Sequence, residues 1–292
     1  MNALRFTGAT IPGTPLTLSH RARISALLAA TGSPLSEYTF PNLFLFRERH
    51  HYRFVDGPKP YILGTTYDGE RHVMPLTAID TQSVALLEFA DCLYPVGQDG
   101  PTLAARLGLS CAWNEDDSDY VYDADRLSIL AGAKAKRSHA RAFERDEAPV
   151  ALPIDAERAP LAEAVLAGWR TDVGRTDAET DFVICREALA LRETLGLEGL
   201  LAMTGAGDPV AFLLASAAPD GTRIVHFAKS RRVHAGAYPW MFRHYAATCG
   251  ANRLNFEQDL GKPGFARAKR ALAPAGQLRK YRLRRRGSTW TG

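Results

Sequence analysis

The sequence predicts an α+β protein of two tandem units, each with a mostly antiparallel sheet flanked by helices. A length of 292 residues fits about two domains. The order of helix and strand signals in the first half is loosely repeated in the second. Hydrophobic residues make up 46% and charged residues 23% of the chain, which is ordinary for a globular protein. This composition excludes a wholly disordered, collagen-like, coiled-coil or disulfide-rich chain.

The first half begins with helix signals and continues with short strands. Ser19 is suited to cap a helix that ends before Gly32 and Pro34. Two Asp-Gly pairs then mark turns between apolar segments. The elements predicted after that helix are a short helix running into a strand at Leu35–Arg47, strands at Tyr52–Val55, Tyr61–Gly64 and Arg71–Pro75, helices at Ser83–Leu93 and Ala104–Leu107, a strand at Ser110–Trp113 and a basic helix at Leu127–Glu144.

The second half shows a clearer order, because its apolar runs are longer and its turns contain glycine. The predicted elements are helices at Leu161–Trp169 and Ala178–Leu195, strands at Gly199–Thr204, Pro209–Ala217 and Arg223–Lys229, a helix at Gly236–Cys249, a strand at Arg253–Phe256, a helix at Phe265–Leu272 and a strand at Leu278–Leu283. This order matches the acyltransferase fold called GNAT. We place the boundary between the two GNAT-like units in the extended piece Ala148–Pro153, which predicts domains at 1–150 and 151–292.

Charge is distributed unevenly along the chain. The first 150 residues carry 15 basic and 18 acidic side chains, a net charge of −3, whereas the remainder carries 21 and 14, a net charge of +7. The acidic segment Asn114–Asp125 lacks the glycine and terminal glutamate of a calcium loop, so we predict no metal site there. A basic C-terminal tail contains Arg284, Arg285 and Arg286. It is either a solvated tail or a contact with a polyanion such as RNA.

Two further features indicate the cellular compartment. The four cysteines are far apart in sequence, which favours a thiol-reducing compartment over a disulfide framework or a zinc site. The longest apolar runs are shorter than a spanning helix, and Met1–Arg23 lacks the apolar core of a secretory signal. We therefore expect a soluble, cytoplasmic protein without a transmembrane segment.

Several motifs resemble one known family. They are Ser36–Leu43 (SEYTFPNL), Asp119–Tyr122 (DYVY), Leu130–Arg137 (LAGAKAKR) and, most specifically, Asn255–Gly264 (NFEQDLGKPG), followed by Ala268-Lys269 and Lys280-Tyr281. Together they resemble the DUF2156 family, related to the C-terminal catalytic domain of phosphatidylglycerol lysyltransferase. The resemblance implies a tandem GNAT fold and transfer of an aminoacyl group from a charged tRNA to a lipid hydroxyl or a small amine. This sequence departs from the family at Ala135-Lys136-Arg137-Ser138 and at Phe256, where many relatives carry arginine.

Carboxylates after a predicted strand are the first candidates for catalysis. Glu257 and Asp259 follow strand Arg253–Phe256, and Asn255 lies at its end. Such a carboxylate is suited to bind a substrate ammonium or to act as a base, and we predict that Glu257 and Asp259 are catalytic and Asn255 binds substrate. The alternative is a pair that caps the following loop by binding glycine amides.

A second group of candidates lies on the preceding strand and helix. We predict that His226 is a catalytic base, because its ordinary pKa suits proton transfer, and that Lys229 binds substrate or phosphate. The two are three positions apart, so they face opposite sides of a strand unless a bulge intervenes. Arg186 and Glu187 are predicted substrate-binding residues. The alternatives are a core histidine and charges on a helix face.

The helix N-terminus that binds acyl-CoA in GNAT enzymes has a broken motif here. In Arg231–Tyr238, with Gly236 as the first glycine, Val233 and Tyr238 stand where the motif needs a basic residue and a small one. Arg231, Arg232 and Gly236 remain candidates for binding phosphate, and Lys269 joins them as a candidate for RNA.

These observations predict a soluble acyl or aminoacyl transferase that uses aminoacyl-tRNA as co-substrate, with no tightly bound cofactor and no metal. The expected partners are tRNA and a small-molecule or lipid acceptor. Two alternatives remain: an N-acyltransferase that uses acyl-CoA, and a non-catalytic GNAT-like protein that binds a metabolite.

Overall fold

The computed structural model describes residues 11–287, in which the chain forms two seven-stranded sheets with helices packed against them. The strands are β1 Thr14–Pro15, β2 Arg53–Val55, β3 Tyr61–Thr65, β4 Arg71–Pro75, β5 Cys92–Val96, β6 Leu109–Trp113, β7 Asp119–Asp123, β8 Val150–Pro153, β9 Glu198–Met203, β10 Pro209–Ala217, β11 Arg223–Ser230, β12 Arg253–Asn255, β13 Gly276–Leu278 and β14 Tyr281–Arg285. The helices are α1 Arg21–Thr31, α2 Phe40–Leu45, α3 Arg47–His50, α4 Thr81–Ala85, α5 Gly100–Leu107, α6 Ala124–Ser128, α7 Lys134–Glu147, α8 Ala159–Val173, α9 Phe182–Ala190, α10 Arg192–Leu195, α11 Ala237–Thr248 and α12 Pro263–Arg270.

Both sheets follow one plan. The first has the order β1-β2-β3-β4-β5-β14-β6 and the second has the order β13-β7-β12-β11-β10-β9-β8. Each contains one parallel pair, β4 with β5 and β11 with β12, among otherwise antiparallel strands. The predicted α+β fold with two tandem GNAT-like units, each a mostly antiparallel sheet flanked by helices, is therefore confirmed.

The two sheets exchange one strand each. β7 belongs to the first half of the chain but lies between β12 and β13 in the second sheet. β14, near the end of the chain, lies between β5 and β6 in the first sheet. The predicted division at residue 150 therefore does not separate the sheets. The predicted basic tail is also corrected in part, since Arg282 and Arg284 are buried in a strand inside the first sheet.

Each parallel pair is short. β11 and β12 are paired only from Arg223 to Ile224, opposite Leu254 and Asn255, and β4 and β5 are likewise joined by two residue pairs. Beyond these pairs neither parallel ladder continues.

Strand β10 is buried on both faces because helices cover both sides of the second sheet. Phe212 and Leu214 belong to a core that also contains residues of α1, α2, α8, α9 and the first sheet. Leu213 and Ala215 belong to a second core, formed with α6, α7 and α11. Successive side chains of β10 thus pack into two different cores. The core that contains Phe212 and Leu214 includes residues of both sheets and so packs the two halves of the chain against each other.

Three predicted helices are interrupted. The segment predicted as helix Ser83–Leu93 contains α4, a 3-10 turn and the start of β5. The predicted helix Leu127–Glu144 is divided into α6 and α7, since Leu130 and Gly132 between them adopt positive φ angles of 50° and 78°, which a right-handed helix does not allow. The predicted helix Ala178–Leu195 consists of a 3-10 turn, α9 and α10.

Between residues 11 and 287 we find no helix with the length and apolarity that crossing a bilayer requires.

Candidate functional site

A cavity of about 720 Å³ lies beside the ends of β11 and β12. Its walls come from both sheets: β11, the segment after β12 and α12 on one side, and residues of the first sheet on the other. Five of the predicted site residues line this cavity: His226, Lys229, Arg232, Glu257 and Lys269. The structure therefore brings together two of the three residues predicted to be catalytic, Glu257 and His226.

Glu257 is held firmly in the cavity wall. Its Oε1 accepts hydrogen bonds from Asn42 Nδ2 and from His226 Nδ1, each at 2.9 Å. Its backbone N–H donates to Asn255 Oδ1 at 2.7 Å, and its φ angle is +57°. A glutamate in this left-handed region is strained by about 1 kcal/mol or more, and such strain is retained where surrounding contacts fix it. The side chain is 15% exposed, so the carboxylate is fixed but accessible.

A β-bulge places His226 next to Glu257. In the β10–β11 ladder Leu214 pairs with Phe227 and Ala215 pairs with Val225, which leaves His226 without an opposite residue. The extra residue changes the face that later side chains occupy. His226 and Lys229 can therefore share one face of β11 although they are three positions apart, and both line the cavity.

The loop after β12 is held by buried polar groups. Lys269, from α12, donates to the carbonyl oxygens of Phe256, Glu257 and Gln258 at 2.6, 2.9 and 2.5 Å. Burial lowers the pKa of Lys269 to about 8, against the attraction of Glu257. Its three donors are therefore used to fix the loop that presents Glu257, which is a different role from the RNA contact that the sequence suggested.

Asp259 and Asn255 support the same loop. Asp259 is 3% exposed, accepts from the Tyr120 hydroxyl at 2.8 Å and caps the Gly261 N–H at 3.0 Å. Asn255 is fully buried and donates to Asp119 Oδ2 at 2.9 Å. Neither residue is among those that line the cavity. Asp259 therefore has the geometry of the loop-capping alternative. Asn255 has the geometry of a residue that positions Glu257.

A fully buried lysine joins the two halves beneath this loop. Lys280 Nζ lies 2.6 Å from Asp119 Oδ1 and 2.7 Å from Glu37 Oε1, and it also donates to Gln258. Burial opposes the charged form of Lys280, but Asp119 and Glu37 outweigh it and raise its pKa. Burial raises the pKa of Glu37 to about 7, with Lys280 opposing that rise. Glu37 lines the cavity, so a second carboxyl group faces it.

The acidic segment and the basic C-terminal segment meet in the first sheet. Arg282 donates to Asp117 Oδ2 at 2.7 Å and to Glu70 Oε2 at 2.9 Å. Arg284, which is 4% exposed, donates to the same Glu70 oxygen at 2.6 Å. The guanidinium of Arg284 is therefore occupied inside the protein and is not placed to contact RNA, whereas Arg285 and Arg286 are exposed.

One end of the cavity carries Lys229 among aromatic and acidic groups. Lys229 Nζ donates to both oxygens of Asp181, at 2.6 and 2.7 Å, and lies 4.0 Å from the centre of the Trp169 ring. Four exposed cations also line the cavity, and we call them the rim cations: Arg49, Arg175, Arg232 and Lys262. These four side chains are suited to contact an anionic group of a substrate.

Another part of the cavity wall consists of histidine and tyrosine rings from the first half of the chain. His50 stacks on Tyr52 with ring centres 5.1 Å apart and meets Tyr67 edge-on at 4.5 Å. His72 packs edge-on against Tyr94 at 5.6 Å. Burial lowers the pKa of His50 to about 4 and that of His72 to about 3. Both rings are therefore neutral at pH 7 and add polar atoms but no charge to this wall.

The remaining predicted residues lie outside the cavity lining. Arg231 donates to Asp172 at 2.8 Å. Glu187 accepts from Arg47 at 2.7 Å, and Arg186 lies over the Phe182 ring. Gly236 is buried, and a Cβ atom there would lie 2.2 Å from the His139 carbonyl oxygen. The N-terminus of α11 is therefore covered by α7 at the position where GNAT enzymes bind the CoA pyrophosphate.

Sequence reasoning assigned no role to five residues that build the site. They are Glu37, Asn42, Asp119, Ser216 and Lys280. Four of them lie in the motifs that carry the family resemblance, so the motifs marked the positions without showing their partners. Ser216 had no signal of its own, since a serine in an apolar strand is common.

Fold and cavity together define a protein with a tandem GNAT-like acyltransferase fold. The chain belongs to the family described as "Phosphatidylglycerol lysyltransferase, C-terminal", which matches residues 28–284. The resemblance drawn from the motifs is thereby confirmed.

Three solved structures show the same overall fold. A conserved protein of unknown function from Bacteroides thetaiotaomicron VPI-5482 is 25% identical over 94% of this chain and 99% of that chain, with a TM-score of 0.81. L-PGS from Bacillus licheniformis is 15% identical over 96% and 95%, with a TM-score of 0.62. The C-terminal domain (DUF2156) of a putative lysylphosphatidylglycerol synthetase from Agrobacterium fabrum is 10% identical over 93% of each chain, with a TM-score of 0.59. No curated protein matches the chain.

Proposed function

We propose that the protein transfers an aminoacyl group from aminoacyl-tRNA to a hydroxyl or amine acceptor, and that Glu257 is its catalytic carboxylate. The observation that carries the proposal is the Glu257 carboxylate, fixed by Asn42 and His226 in the wall of a cavity shared by both sheets. The family, described as a lysyltransferase, supports the reaction class.

Aminoacyl transfer needs a base or an anionic partner at the reacting centre. The donor carries an ammonium group beside its ester carbonyl, and the acceptor must lose a proton as it attacks that carbonyl. Glu257 Oε1 is occupied by its two donors, and in the described part of the chain Oε2 has no hydrogen-bond partner. Oε2 is thus the oxygen that receives the acceptor's proton or pairs with the donor's ammonium group.

The charges around the cavity fit a nucleotide donor. The rim cations are exposed at the cavity, where they are suited to the phosphates near the end of a tRNA. Acyl-CoA is less well supported, because α7 covers the N-terminus of α11 at Gly236 and Arg231 is paired with Asp172. Two of the groups that would bind its pyrophosphate are therefore engaged elsewhere.

The test is transfer from a pool of tRNA charged with radiolabelled amino acids, with phosphatidylglycerol vesicles in one arm and a mixture of small amines in the other. We expect label to leave the tRNA and appear in one product class. Glu257→Gln should lower turnover by about 10- to 1,000-fold with an unchanged unfolding transition. Glu144→Gln is the matched control, because Glu144 is exposed, pairs with Arg243 and does not line the cavity.

Three other results would overturn the proposal. Transfer from acetyl-CoA but not from tRNA would establish the acyl-CoA alternative. Binding of charged tRNA or of an acceptor without turnover would indicate a binding protein. Full activity of Glu257→Gln would remove the catalytic role of this carboxylate while leaving the reaction class intact.

A further inference from the structure

A chain of three hydrogen-bonded side chains leads from Glu257 into the second sheet. His226 Nδ1 lies 2.9 Å from Glu257 Oε1, and His226 Nε2 lies 2.8 Å from Ser216 Oγ. The His226 side chain is fully buried and Ser216 is 3% exposed. Ser216 also lines a second, smaller cavity of about 320 Å³, whereas Glu257 lines the main one.

The chemistry of the partners determines the tautomer of a neutral His226 ring. An ionised carboxylate only accepts hydrogen bonds, so the proton of the ring lies on Nδ1 and is donated to Glu257. Nε2 then carries a lone pair, and the Ser216 hydroxyl is the donor that satisfies it. Without Ser216 this buried nitrogen would have no partner in the described structure, and the ring would lose one of the two hydrogen bonds that hold it.

The bulge in β11 makes this arrangement possible. His226 is the residue without an opposite partner in the ladder, while Ser216 pairs with Ile224 two positions earlier. The ring therefore reaches Ser216 on the neighbouring strand with one nitrogen and the cavity wall with the other. A regular strand would instead place the ring opposite a residue of β10.

We propose that Ser216 is a positioning residue for Glu257, an inference that rests on the proposed function. Ser216 fixes the orientation of the His226 ring through Nε2, and His226 together with Asn42 then holds Oε1 of Glu257. Oε2 consequently points to the substrate in a single orientation. Ser216 touches no substrate in this arrangement and acts only through His226, as the third group of a nucleophile–base–orienting chain does in other enzymes.

The experiment compares Ser216→Ala with Ser216→Thr in the aminoacyl-transfer assay. The alanine variant removes the hydroxyl, and the threonine variant retains it. We expect Ser216→Ala to lower kcat by about 10- to 100-fold, less than the loss of a catalytic base, with KM changed by less than about threefold. Ser216→Thr should restore kcat to within about threefold of the wild-type value. Equal kcat values for the wild type and Ser216→Ala would overturn the proposal, as would failure of the threonine variant to recover kcat while its fold is intact.

A spectroscopic measurement separates this proposal from the proposed function. Nitrogen-15 NMR of histidine-labelled protein should show His226 as the Nδ1–H tautomer in all three proteins. The Nε2 signal should keep its position in Ser216→Thr and move in Ser216→Ala, where this nitrogen loses its hydrogen bond. An Nε2 signal that does not move in Ser216→Ala would overturn the proposal. His226→Gln assigns the signal. The Nε2–H tautomer in the wild type would overturn the proposal whatever the activity. An expected NMR result with no aminoacyl transfer by the wild type would refute the proposed reaction and leave the positioning of Glu257 standing.

Discussion

Removal of the buried ammonium group of Lys280 tests how the two halves of the chain are held together. Lys280→Met retains the length of the side chain but leaves Glu37 and Asp119 without their shared cation. Breaking a buried ion pair costs about 3–5 kcal/mol. Asp119 keeps its donors Ser36 and Asn255, so we expect the free energy of unfolding to fall by about 3 kcal/mol at pH 8, the lower end of that range.

The loss should depend on pH in a direction set by Glu37. Burial raises the pKa of Glu37 from 4.5 to about 7 in the native protein. Between these values the native state binds a proton that the unfolded state has lost, so stability falls as pH rises through this window. Without Lys280 the pKa of Glu37 rises further, and the variant gains more from acidification than the wild type does. The difference between them should therefore shrink by about 1 kcal/mol or more from pH 8 to pH 5.5.

Urea denaturation followed by tryptophan fluorescence at pH 8 and pH 5.5 measures both effects. Lys59→Met is the matched control, because Lys59 pairs with the more exposed Asp80 and should change stability by about 1 kcal/mol or less. A loss below about 1 kcal/mol at pH 8 for Lys280→Met would refute the argument that this cation offsets two buried carboxylates. A loss of equal size at both pH values would refute the part assigned to Glu37.

Three further changes test the site. Replacing the rim cations by alanine should weaken tRNA binding and lower the salt slope of log K by up to about 4, and an unchanged slope across salt concentrations would exclude phosphate contacts there. Gly236→Ala should lower the free energy of unfolding by about 1–3 kcal/mol, because its Cβ would meet the His139 carbonyl. Gly57→Ala is the control, since Gly57 has open space around it. Equal stability of the two variants would contradict the packing of α7 on α11. Lys269→Met should lower both the free energy of unfolding, by about 2–3 kcal/mol, and the turnover, because the loop that presents Glu257 loses three hydrogen bonds. Normal turnover would show that the loop keeps its conformation without them.

Much of the fold could be predicted because the local signals agree with it. Strands β4 and β10 have the predicted bounds, and helix α11 begins and ends one residue inside the predicted helix Gly236–Cys249. Strand β7 was not predicted, because its alternation of Asp and Tyr looks like an exposed acidic segment. Asp119 on this strand is buried, and its partner Lys280 lies 161 positions further along the chain. No local pattern shows such a pairing.

The candidate site was predictable only where the type of a residue and its own strand were enough to indicate its role. Glu257, His226 and Lys229 were found from their chemical type and from the strands that carry them, and they do line one cavity. The bulge at His226, which lets His226 and Lys229 share one face of β11, has no signal in the sequence Arg223–Lys229. The basic residues near the C-terminus illustrate the opposite error, since a run of arginines suggests solvent or RNA although Arg282 and Arg284 are neutralised by carboxylates from the first half.

The strand exchange explains why the site depends on both halves of the chain. β7 brings Asp119 and Tyr120 from the first half to the loop that carries Glu257, and Asn42 from α2 binds the Glu257 carboxylate directly. The segment before β14 returns Lys280 from the second half to Glu37 in the first. A GNAT-like unit on its own would lack one strand of its sheet and the partners of its buried charges. The geometry of Glu257 is therefore a property of the paired units, and a change at their junction, even far from the cavity, acts on the same carboxylate.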